Sequence, residues 1–149
     1  MANTGNAGYR AGQMPEGTSE TVEAARQSYK RGAWADATGL YLAADAECGL
    51  DIDDLEALTW AAAISAHDKE MLAALERIYE HHVAGEDHEQ AARAAFWSGL
   101  RNMMIGEVGL GFGWLQRAAR HAEQTPSNCV QRGYLLLPQV FMHRGKGAF

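Results

Sequence analysis

The sequence predicts an all-α fold, with antiparallel helix pairs stacked as a short right-handed solenoid of about seven helices. Three observations carry this expectation. Apolar residues recur at three- and four-residue spacing from about residue 18 almost to the end of the 149-residue chain, the signature of helices with one buried face. Short breaks at Gly32, Gly49 to Asp53, Ala66 to Asp68, Gly85 to Asp87, Gly106 and Thr125 to Asn128 interrupt the pattern, and links this short leave only antiparallel neighbours. Gly32, Ala66, Gly106 and Gly145 then occupy equivalent turns, separated by 34, 40 and 39 residues.

Taken in chain order, residues 1–17 are rich in Gly, Asn and Ala without apolar period and are expected to form a flexible leader. Residues 18–149 form the repeat domain, three helix pairs and an unpaired seventh helix. The first helix stops at Gly32, and the second carries Trp34, Ala37, Tyr41 and Ala44. Asp53 and Glu56 have capping-box spacing for the start of the third. Met71, Leu75 and Ile78 follow the Ala66 turn in the fourth. Gly85 and Gly106 suit left-handed caps ending the fourth and fifth. The sixth carries Gly111, Leu115 and Ala118. Pro126 stops it, Ser127 or Asn128 caps the seventh, Pro138 kinks that helix, and its turn falls at Gly145.

The second helix of each pair repeats one pattern. Five residues past the turn stands a slim residue, Ala37, Met71 or Gly111. Four later comes a bulky one, Tyr41, Leu75 or Leu115. The slim position lets two helices approach and the bulky one fills the groove beside them. The first separation equals the tetratricopeptide period. A repeat buries its apolar face only against a neighbour. The unpaired seventh helix therefore implies either a longer natural chain or a homodimer formed through that helix.

Composition narrows the function. A chain 47% hydrophobic and 21% charged has enough apolar residues for one core. The net charge of -6 opposes direct nucleic-acid binding, which needs cations against phosphates. Asp36, Asp45, Glu47, Asp51, Asp53, Asp54 and Glu56 fall in a stretch without Lys or Arg, and are expected to form a solvated acidic face. Neither a signal-type apolar segment nor a run of about 18 apolar residues occurs. A cytoplasmic protein without membrane contact follows.

Catalytic and cofactor patterns are weak. Cys48 and Cys129 are far apart and lack CxxC spacing, so buried free thiols are expected. No two of His67, His81, His82, His88, His121 and His143 share the i, i+4 spacing of a helical zinc site. They are expected to face solvent near helix ends. Gly106, Gly109, Gly111 and Gly113 follow a helix, where a dinucleotide loop requires a strand, and close helix packing explains them better. Asp53 with Asp54, and Glu86 with Asp87, suit helix starts. No enzyme, metal or cofactor is expected.

The first helix of each pair should line the concave side. The turn register places Arg26, Tyr29 and Lys30 there, then Glu56, Trp60 and Ile64, then Phe96, Leu100, Met103 and Met104, and finally Leu135, Gln139 and His143. This surface combines a cationic end with an apolar floor. It suits a peptide or protein, or a hydrophobic small-molecule effector. Core filling competes for the same residues, above all for Trp60, Phe96 and Leu100.

The segments RGAWADATGLYLAADAE (31–47), AARAAFWSGL (91–100), GWLQRAARHAE (113–123) and CVQRGYLLLP (129–138) resemble the tetratricopeptide-like helical-repeat region that precedes the DNA-binding domain of LuxR-type actinobacterial transcriptional regulators. The resemblance covers roughly residues 20 to 145. It implies a non-catalytic sensor or partner-binding module, with the helix-turn-helix domain further along the natural chain. A stand-alone interaction adaptor is the alternative.

Overall fold

A computed structural model describes residues 16–126 and 128–137. Seven helices are seen among them: α1 (Glu16–Lys30), α2 (Trp34–Cys48), α3 (Ile52–Ile64), α4 (Asp68–Ala84), α5 (His88–Met104), α6 (Val108–Glu123) and α7 (Val130–Tyr134). No strand occurs among the described residues. The fold is all-α, with helices packed against their chain neighbours in sequence order. Helix α1 begins at Glu16, inside the segment expected to be a leader, the rest of which lies outside the described residues. Pro138, Gly145, Gln139 and His143 lie outside the described residues.

The turns share one geometry. Five of the six links have three residues, and in four of these the middle one is left-handed: Gly32 (φ 75°), Ala66 (φ 61°), Glu86 (φ 56°) and Gly106 (φ 92°). In each, the residue after it donates its N–H five positions back: Ala33 to Ser28 (3.0 Å), His67 to Ala62 (2.8 Å), Asp87 to His82 (2.9 Å) and Glu107 to Asn102 (2.8 Å). This is the Schellman motif, which satisfies the helix's last carbonyls. Gly85 departs from the expectation, since its φ is -85° and Glu86 carries the left-handed strain instead. The third helix is also capped differently. Asp51, two residues before Asp53, accepts from the Asp54 N–H at 2.8 Å. Cys129, not Ser127 or Asn128, occupies the start of α7, and without a side-chain cap.

The slim-and-bulky seam is present in all three pairs. Ala37, Met71 and Gly111 are buried, and so are Tyr41, Leu75 and Leu115. Burial pushes the Tyr41 phenol up to about 12, with Asp54 adding to the shift and Arg26 opposing it. One core cluster runs from Ala25 through Leu58, Met71 and Ile78 to Ala94. A second joins Ala95, Phe96, Leu115 and Ala118 across α5 and α6. At that second junction Gly99 and Gly111 face each other. A Cβ on Gly99 would sit 2.8 Å from Leu115 Cγ, and one on Gly111 would sit 2.9 Å from the Gly99 carbonyl oxygen. Gly109 and Gly113 meet nothing, so close packing accounts for Gly111 and Gly99 alone.

Candidate functional site

The face shared by α1, α3 and α5 is built by residue pairs that cross between repeats. Arg26 on α1 donates from Nε and Nη2 to the two carboxylate oxygens of Asp54 on α3, both at 2.8 Å. The Asp54 side chain is only 7% exposed, and Asp51 adds a second carboxylate at 3.7 Å. The hydrogen bonds that Arg26 donates to Asp54 hold its guanidinium above the ordinary value. Next along the face, Arg93 on α5 pairs with Glu56 on α3. Beyond them Trp60 and Trp97 meet edge to face, ring centroids 5.4 Å apart.

Behind the two tryptophans lies a shallow apolar cleft, open to solvent, between α3, α4 and α5, with about 20 Å³ of room for water. Its walls are Met71, Leu75, Ile78, Thr59 and Ala94, with Glu56 and Arg93 at the rim. It is an apolar slot with a rigid aromatic mouth and an ion pair beside it. The tip of an aliphatic side chain suits so shallow a slot, and a peptide's backbone amides can find hydrogen-bond partners on the paired charges.

The sequence-predicted groove residues separate into two groups. Arg26, Lys30, Glu56, Trp60, Ile64 and Met104 reach the surface, with Ile64 at 56% and Met104 at 68% exposure. Phe96 is 1% exposed and belongs to the core. Tyr29 packs edge-on against Trp34 at 5.1 Å, while Leu100, Met103 and Leu135 pack against the Phe96 cluster. The expected cationic end is neutralised where Arg26 is concerned, since Asp54 takes its charge.

Arg93 and Trp97 are the site residues that turn alignment missed. Trp60 stands six residues before its turn at Ala66 and Trp97 nine before Gly106, so the residues that meet are not equidistant from the turn. The available signal was a repeated pair, a charge followed by Trp four later, in Glu56 with Trp60 and in Arg93 with Trp97. Other expectations also shift. The acidic stretch is largely spent on arginines, with Asp45 held by Arg77 at 2.6 Å and Asp51, Asp54 and Glu56 engaged as above. Cys48 is exposed and Cys129 half-buried, in place of the buried thiols expected. His82, His88 and His121 are half-buried, contrary to solvent-facing histidines. Burial lowers the pKa of His82, against the opposing effect of Asp87.

Among the described residues, no group of three or more His, Cys, Asp or Glu side chains is placed to hold a metal ion. No helix among them is long and apolar enough to cross a membrane. Neither a scan against protein-family models nor a search of curated proteins gave a match. Among solved structures the chain is similar to PcrH, crystallised in complex with the chaperone binding region of PopB. The TM-score is 0.56 at 14% identity, covering 83% of this chain and 95% of that one. The likeness is one of fold, a helical repeat.

Proposed function

We propose that the α3–α5 face binds a segment of a partner protein and seats one of its aliphatic side chains in the cleft behind Trp60 and Trp97. The observation that carries this reading is the cleft itself: an apolar slot lined by Met71, Leu75 and Ile78 and left open beside two partly exposed tryptophans. Aromatic anchors around a small desolvated pocket are where binding energy concentrates at protein interfaces. PcrH, similar in fold, was crystallised with a segment of another protein, which supports a peptide as the occupant. No chemistry beyond binding is assigned to the face.

The test is titration of the chain with a panel of peptides carrying one Leu, Met or Ile anchor, read by tryptophan fluorescence and calorimetry. Binding that falls about tenfold or more in both Trp60→Ala and Trp97→Ala, as hot-spot truncations do, is the expected result. Failure of every anchored peptide, or affinities indifferent to both substitutions, ends this reading.

The four segments that resemble LuxR-type regulators favour a second and finer reading, a sensor module whose groove takes a hydrophobic effector and passes the signal to a DNA-binding domain. Such coupling requires unequal binding to two arrangements of the regulator. The coding sequence beyond Phe149 decides between this module and a stand-alone adaptor: a helix-turn-helix domain there supports the regulator, and its absence removes it.

A further inference from the structure

Tyr79 on α4, His88 at the start of α5 and His121 in the last turn of α6 form a polar chain that the groove does not use. Nδ1 of His88 lies 3.0 Å from Nδ1 of His121, and the Tyr79 hydroxyl lies 3.0 Å from Nε2 of His121. The two imidazole centroids are 5.3 Å apart with planes tilted by 30°, so the nitrogens meet head to head. Two imidazole nitrogens opposed in this way share one proton, one ring donating its N–H and the other accepting with a lone pair. We propose that the His88–His121 pair is a proton-counting latch, fastening the end of α6 to the start of α5 near neutral pH and opening when both rings are protonated.

The proton count follows from the contacts. In the neutral pair one N–H lies between the rings. A first added proton still leaves one Nδ1 lone pair between the rings, so the contact survives it. A second proton sets N–H against N–H and two cations side by side. The contact must then break.

The groups facing His121 are Tyr79 from α4, His88 from α5 and Arg120 on its own helix. None of the three is a carboxylate. Asp87, next to His88 in sequence, turns instead to the Gln90 N–H at 3.1 Å and to His82 at 3.6 Å. Burial first, then His88 and Arg120, lower the His121 pKa below its ordinary 6.5. The unfolded chain therefore binds protons that the folded pair refuses, and stability declines as pH falls below about 6.5.

The test is a 15N-histidine NMR titration of the full chain, with melting temperature measured from pH 7.5 to 5.0. The expected result is two coupled steps that belong to the pair, with His121 titrating below its ordinary 6.5. Melting temperature should fall by about 3 °C per pH unit below 6.5 for each withheld proton. His88→Gln should raise the His121 midpoint and flatten that slope. His82→Gln, which removes the other histidine lowered by burial, should leave the two steps in place. A His121 midpoint at its ordinary value, or a slope unchanged by His88→Gln, overturns the latch. If His88→Gln proves too unstable to melt cleanly, the wild-type titration alone decides.

Discussion

Asp54 shows what the residue scale adds to the sequence. In the sequence it stands in an acidic run and reads as a solvated or capping carboxylate. In the fold it is buried and takes both hydrogen bonds from Arg26, 28 positions earlier. Removing Arg26 leaves that carboxylate without its partner, and a buried acceptor deprived of its donor costs about 1–3 kcal/mol. Arg26→Ala should therefore lower urea stability by an amount in that range. Arg77→Ala, whose guanidinium side chain is 43% exposed against an Asp45 that is 24% exposed, should cost less than about 1 kcal/mol. Equal losses would mean that burial of Asp54 does not set the energetics. Charge composition gave no hint of this pairing because it is decided by which helices become neighbours.

The helix boundaries were legible because turns are local chemistry: each break read from Gly, Asp or His clusters falls at or next to a link in the fold. Which residue bears the strain was less so, since the Schellman geometry is fixed by count from the helix end and falls on Ala66 and Glu86 as readily as on glycine. A side chain at left-handed φ costs about 1–2 kcal/mol. Ala66→Gly and Glu86→Gly should each stabilise the protein, by up to about 1 kcal/mol after the glycine's own entropy is counted. The opposite holds where backbones touch. Gly99→Ala drives a Cβ into Leu115 and the Gly111 carbonyl and should cost about 1–3 kcal/mol. Gly113→Ala, in open space on a helix, should gain up to about 1 kcal/mol. Thermal and urea melts check all four; a neutral Gly99→Ala would mean that α5 and α6 yield at their tightest crossing. The α5 face of the candidate site escaped the sequence for a related reason: Trp97 stands three residues further from its turn than Trp60 does, an offset that depends on how the helices cross and that counting from turns does not show.

At the scale of the whole molecule, the stack is a row of helices in which each buries its face mainly against its neighbours, so its cooperativity is set by its thinnest junction. Among consecutive long helices α1 to α6, that junction is α2 against α3. Its link is also the one that departs from the Schellman pattern, with Gly49 at φ 80° and ψ 159°. Long-range polar ties cross this seam: Arg26 to Asp54, Arg77 to Asp45, and the Thr38 and Ser65 hydroxyls at 3.2 Å. They join the α1–α2 pair to the rest where apolar contact is least. The double variant Arg26→Gln with Arg77→Gln should therefore uncouple that pair. Its amides in α1 and α2 should exchange as one unit well before those of α4 and α5, and the urea transition followed by circular dichroism should broaden. Uniform acceleration of exchange across all helices, with a single sharp transition retained, would show that packing alone couples the pairs. The face proposed to bind a peptide spans α3 and α5, on the far side of the seam, so this variant should keep its affinity for an anchored peptide even as α1 and α2 loosen.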